Sequence, residues 1–182
     1  MCVAVFIFVW YIKNMELVVK NKFFSLGGSS KVLDENGKDV LIVKGKFFSI
    51  THKKFVRDLN GNLLFIVRNK YWHFIKRKAL IYDANKKLVA RVIRDFKIRQ
   101  SYTIEGAQEE IKVVANGPVG LGFDMSITMG GREIGHIKRP YVQWTDTFNV
   151  TVNEPEDAAV LVAIVIGIDN IQDQAKKANN NN

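Results

Sequence analysis

Asn153-Glu-Pro-Glu-Asp-Ala-Ala-Val-Leu-Val-Ala-Ile-Val-Ile-Gly-Ile168 is the stretch on which the fold turns. Six of the eleven residues from 158 to 168 are β-branched, so local propensity favours a strand. The residues ahead of them argue for a helix. Asn153-Glu-Pro-Glu-Asp157 offers a cap residue, Pro near the first helical position, and acids in the first turn that complement the helix dipole. Eleven residues also exceed a typical strand. As a helix the run has no polar face, so apolar surface must surround it on every side. It spans roughly 16 Å, against about 30 Å for a bilayer core, and cannot cross a membrane unaided. The reading that satisfies all of this is a helix enclosed by a sheet. A fully buried strand and a membrane-dipping tail are the alternatives.

The rest of the chain supplies a sheet to do the enclosing. Val32-Leu-Asp-Glu-Asn-Gly37, Val56-Arg-Asp-Leu-Asn-Gly61 and Ile81-Tyr-Asp-Ala-Asn-Lys86 each precede an apolar run, with the aspartates 24 and then 25 residues apart. Each unit reads as strand, turn, strand: Asp bonds back to the turn backbone, and Asn or Gly accepts the left-handed conformation. A fourth hairpin is predicted at Gly130-Gly131, joining residues 123–128 to 133–138. Phe148, Val150 and Val152 alternate with Asn149, Thr151 and Asn153, and Tyr102 and Ile104 alternate with Thr103 and Glu105. One buried and one wet face is the pattern of an antiparallel sheet in a barrel or sandwich. The Asp-x-Asn-Gly turns are not calcium loops, which need Gly at position 6 and Glu at position 12.

Length and composition bound the rest. The 182 residues suggest one domain, and 47% hydrophobic with 25% charged residues excludes global disorder. One cysteine, Cys2, excludes a disulfide framework and a Cys-rich metal site. The net charge of +9 divides into +2 over residues 1–30, +12 over 31–100 and −5 over 101–182. Residues 1–14 read as an apolar extension outside the domain, with an extra strand or a membrane-touching segment as alternatives. Residues 170–182, closing in four asparagines, read as a frayed polar tail. The domain is therefore expected over 15–169.

The ordered series Lys22-Phe-Phe-Ser25, Val32-Leu-Asp-Glu-Asn-Gly37, Val43-Lys-Gly-Lys-Phe-Phe-Ser49, the later hairpins and the closing apolar run resembles the LURP-one-related family. That family belongs to the tubby C-terminal-like superfamily, which also contains the phospholipid scramblases. The resemblance implies a mainly β fold: a closed antiparallel barrel of about twelve strands, built from hairpins and enclosing a hydrophobic C-terminal α-helix over about 155–169. Tubby domains bind phosphoinositide headgroups and scramblases are associated with lipid redistribution. This chain departs from both patterns. It has no cysteine-rich palmitoylation stretch, no calcium loop of the required spacing and no polar N-terminal activation region.

Residues that carry reaction chemistry do not cluster. His52, His73 and His136 are widely spaced and read as ordinary strand or loop histidines rather than a metal site. Gly117-Pro-Val-Gly-Leu-Gly122 reads as a loop, not a dinucleotide fingerprint. No catalytic residue, metal or cofactor is therefore expected, and the protein is expected to be a binding protein rather than an enzyme. The strongest signal is basic and aromatic: Arg68-Asn-Lys-Tyr-Trp-His-Phe-Ile-Lys-Arg-Lys78, followed by Arg91 and Arg94. Arg68, Lys70, Trp72, Lys76, Arg77, Lys78, Arg91 and Arg94 are the candidate anion- or lipid-binding residues. Basic groups are drawn to anionic membranes and Trp to their interfaces. The expected partner is an anionic membrane lipid or another protein, with nucleic acid the weaker reading. The expected setting is cytoplasmic, peripheral at the inner membrane surface, as a monomer. The alternatives are a protein-interaction module whose charge only aids solubility and, more remotely, a scramblase-like lipid-handling protein.

Overall fold

The computed structural model describes residues 14–20, 29–46, 51–70, 77–94, 102–115, 122–140 and 147–179. Twelve strands form one sheet: β1 Met15–Lys20, β2 Ser29–Asp34, β3 Asp39–Gly45, β4 Lys54–Arg57, β5 Leu63–Asn69, β6 Lys78–Asp83, β7 Leu88–Arg94, β8 Tyr102–Gly106, β9 Ile111–Ala115, β10 Gly122–Met129, β11 Arg132–Pro140 and β12 Thr147–Val152. A 3-10 turn, Pro155–Asp157, leads into α1, Ala158–Asn179.

The three Asp-led turns adopt one design. The Asp34, Asp58 and Asp83 carbonyls accept from the N–H of Gly37, Gly61 and Lys86. Their carboxylates accept a second N–H from Lys38, Asn62 and Lys87 at 2.8 Å. The residue that closes each turn is left-handed, with φ of 78° at Gly37, 87° at Gly61 and 65° at Lys86. A one-residue register shift follows in each hairpin, at Val32/Leu33, Val56/Arg57 and Ile81/Tyr82. This is the bulge that normally accompanies a three-residue hairpin loop. Gly130 and Gly131, at φ 59° and 83°, make the tighter two-residue turn between β10 and β11.

The strands run β8-β7-β6-β5-β4-β3-β2-β1-β12-β11-β10-β9, each antiparallel to its neighbours. Pairing of β1 with β12, Met15 opposite Val152, joins the two halves. The sheet ends, β8 and β9, are consecutive in sequence and lie side by side without a ladder among the described residues. The barrel is thus nearly closed, with one seam.

Inward positions hold Leu17, Val19, Val43, Val56, Val67, Ile81, Val92, Ile127, Ile137, Phe148 and Val150, all but sealed from solvent. They surround α1, whose Leu161, Val162, Ile164, Val165, Ile166 and Ile168 are likewise buried. The helix touches β4 to β7 on one side and β11 and β12 on the other. Gly167 lets it approach closely: a Cβ there would meet Val92 Cγ2 at 3.0 Å and Ala79 Cβ at 3.5 Å. The enclosed helix expected from residues 153–168 is therefore present. Each fully buried large aliphatic side chain in it contributes about 1.5–3 kcal/mol, and this tertiary gain overrides its β-branched propensity.

Two details of the helix differ from expectation. Asn153 does not cap it; its Nδ2 donates to Glu133 O at 2.8 Å. The helix start is held instead by Arg132, whose guanidinium forks onto the Asp157 carboxylate at 2.6 and 3.1 Å. The helix also runs ten residues beyond Asp169, to Asn179. Asn170, Ile171 and Gln172, expected in a frayed tail, are buried. Their polar groups find partners on the barrel wall, so the helix continues where hydropathy alone would stop it. Residues 1–13, Cys2 and His73 lie outside the described residues, as do 180–182.

Candidate functional site

Antiparallel topology gives the barrel two unlike ends. Even-numbered strands finish, and odd-numbered strands begin, at the end carrying the tight Asp-led turns and the start of α1. The opposite end, the mouth, is where β3, β5, β7 and β11 finish and where β4, β6, β8 and β12 begin. The six connections there, 21–28, 47–50, 71–76, 95–101, 116–121 and 141–146, lie outside the described residues.

At the mouth the inward phase turns from apolar to polar. Successive inward positions lie two residues apart along a strand. On that period Lys54 precedes Val56, Asn69 follows Val67, Arg94 follows Val92, Tyr102 precedes Ile104 and Arg139 follows Ile137. The helix makes the same change directly after its apolar run, at Asp169, Asn170 and Gln172. Lys54 Nζ meets Asp169 Oδ2 at 2.9 Å, with side-chain exposures of only 4% and 5%. Mutual neutralisation is what permits two charges so deep in the barrel. Asn69 Nδ2 donates to Asn170 O at 3.1 Å, and Asn170 Nδ2 donates to His52 O at 3.0 Å. Arg139 donates to Gln172 Oε1 and stacks over the Phe148 ring, 5.1 Å from its centroid. Burial pushes the Tyr102 hydroxyl pKa up, against the opposing pull of its Gln172 hydrogen bond and the Arg94 and Arg139 charges. The polar half of the helix is thereby tied to strands from both halves of the sheet.

The candidate basic residues divide into three sets. Arg77 and Arg94 reach the mouth together: Arg94 N donates to Arg77 O at 3.1 Å. Lys70 and Lys78 flank them, with Lys70 N donating to Lys78 O at 2.9 Å. Exposed Lys46, just past the end of β3, belongs to the same end and was not singled out from sequence. Arg68 and Arg91 stand on the outer wall, on either side of Leu80 in one cross-strand row. Arg68 donates to Tyr82 Oη at 2.9 Å and lies over its ring, 4.9 Å from the centroid, and Arg91 faces Glu105 across the ladder. These two do not join the mouth. Trp72 and Lys76 lie outside the described residues.

Sequence reasoning missed Lys54, Asn69, Arg139, Asp169, Asn170 and Gln172. The signal was available: polar residues in the inward phase at successive strand ends. The turn end carries charge of both signs in contact, as in Lys31–Asp39, Lys112–Glu110 and Arg132–Asp157. At the mouth, Lys46, Lys70, Arg77, Lys78 and Arg94 make no ion pair among the described residues. No group of three metal-ligating side chains occurs among those residues. No helix among them is long and apolar enough to cross a membrane.

A nearly closed antiparallel barrel filled by its own C-terminal helix, polar at the end where that helix emerges, defines a helix-plugged barrel class. The chain belongs to the LURP-one-related family, whose model matches residues 15–169. A crystal structure of a protein from Arabidopsis thaliana has the same fold, at 16% identity and a TM-score of 0.58, with 88% of this chain and 93% of that one covered. No curated protein sequence matches.

Proposed function

We propose that the protein is a non-enzymatic binding module that docks its barrel mouth onto an anionic phospholipid surface, at the cytoplasmic face of a membrane. The observation that carries this reading is the gathering of Lys46, Lys70, Arg77, Lys78 and Arg94 at one end of the barrel without acidic partners among the described residues. Basic side chains held near such a surface each contribute about 1 kcal/mol. Because they share one end, they can face a flat surface together, which the outer-wall arginines cannot.

Co-sedimentation with vesicles tests this. The protein is expected to pellet with phosphatidylcholine vesicles containing phosphatidylserine, and to stay in the supernatant with phosphatidylcholine alone. Binding should fall steeply between about 0.05 and 0.5 M salt as the Debye length shortens. Replacing Lys70, Arg77, Lys78 and Arg94 by Ala should weaken it by at least about tenfold. Replacing Arg68 and Arg91 instead should have a smaller effect. Equal pelleting with both vesicle types, or with neither, overturns the proposal.

A further inference from the structure

Arg77 and Arg94 are placed against each other by the ladder itself. Lys78 pairs with Ile93, so the next position outward sets Arg77 opposite Arg94. Directly opposed residues share a face, with Cβ atoms about 4.5–5.5 Å apart, and like charges so placed repel. Arg94 pairs in turn with Tyr102, which walls the other side. Neither guanidinium has an ion-pair or side-chain hydrogen-bond partner among the described residues. Asp169, on the helix in the mouth, meets Lys54. Asp173, one turn farther along the helix, forms no ion pair among the described residues. Partial burial, and after it the Arg94 charge, hold the Arg77 pKa below its ordinary value. Burial and a like charge alongside thus both act on the Arg77 guanidinium.

A cross-strand arginine pair is a costly thing to keep for structure alone, but it is well made for a dianion. Each guanidinium presents a planar fork of N–H donors that fits two oxygens of one tetrahedral group. A carboxylate or a phosphodiester carries one negative charge; a phosphomonoester carries nearly two and has three terminal oxygens to share between two forks. We propose that Arg77 and Arg94 form a phosphomonoester-binding site at the barrel mouth. The inference rests on the mouth facing anions and narrows the ligand from a negative surface to a terminal phosphate, carried by a lipid headgroup or by a soluble compound.

The test uses the full chain with the Arg77→Lys/Arg94→Lys variant, which keeps the charge and loses the forks, and with Arg77→Gln. Vesicles containing phosphatidic acid, a phosphomonoester, are compared with phosphatidylserine vesicles of matched surface charge. Inorganic phosphate is compared with chloride at matched ionic strength by thermal unfolding. Wild type should bind phosphatidic acid about tenfold more tightly than phosphatidylserine, and phosphate should raise its melting temperature. The double Lys variant should lose both preferences while still pelleting with phosphatidylserine. Without phosphate, Arg77→Gln should melt no lower than wild type, because the repulsion is relieved. Binding to phosphatidylserine with no preference for phosphatidic acid overturns the arginine site and leaves the membrane reading standing. A phosphate response lost in the Lys variant, with no vesicle binding, keeps the site and makes its ligand soluble. A preference that survives in the Lys variant, or an Arg77→Gln protein that melts several degrees lower, overturns the site.

Discussion

Lys86 occupies the one place in the three Asp-led turns where the repeat departs from glycine, and it adopts the same left-handed backbone. A side chain there costs about 1–2 kcal/mol in the folded state, partly offset because it also restricts the unfolded chain. Lys86→Gly is therefore expected to stabilise the protein by about 0.5 kcal/mol in urea unfolding. Gly61→Ala should destabilise it by about 1 kcal/mol. No atom lies within 4 Å of the added Cβ, so that cost is backbone strain alone. Asp58 makes a second test. The Asn62 side-chain amide, with the turn N–H groups, holds its carboxyl below the ordinary 3.8. A depressed carboxyl adds stability that is present above the unfolded value and lost as pH falls through the folded one. The difference in urea midpoint between wild type and Asp58→Ala should accordingly shrink from pH 5 to pH 2. The turns were legible because their chemistry is local: Asp34, Asp58 and Asp83 each bond within four residues of themselves.

The helix was half legible, and its two halves show why. Its start is announced by neighbours in sequence, Pro155, Glu156 and Asp157. Its continuation past Asp169 depends on Lys54, Asn69 and Arg139, which arrive from strands far away in the chain. Read alone, Asp169-Asn-Ile-Gln172 is a polar ending; set against those partners, it is the lock that fixes the helix in the barrel. The Lys54–Asp169 pair allows this to be measured. Lys54→Met leaves a buried carboxylate without its partner and should cost about 3–5 kcal/mol. Lys54→Met with Asp169→Leu removes both charges and should recover most of that loss in chemical unfolding. A double variant as unstable as the single one would mean that the pair contributes through geometry rather than charge compensation.

At the scale of the whole molecule, the sequence placed +12 within residues 31–100 but could not say where on the barrel it falls. Those residues pass back and forth through β2 to β7, so one charged block is dealt out to both ends and the outer wall. The inward and outward alternation of side chains along β5, β6 and β7 separates Arg77 and Arg94, in the inward phase, from Arg68 and Arg91 on the outer wall. The same architecture orders events during synthesis. Every strand leaves the ribosome before the helix that they enclose, and β1 must wait for β12 to gain one of its two neighbours. Contacts so distant in sequence slow folding, and an apolar lumen without its occupant invites aggregation. A fragment ending at Asp157 should therefore lack the near-ultraviolet signal of fixed aromatic packing and bind a hydrophobic dye, whereas the full chain should do neither. A well-packed fragment would show that the strands close by themselves. On the expected outcome, the nascent chain spends the making of the barrel with its future interior open to water, dependent on chaperones or on speed until the helix arrives to become the core.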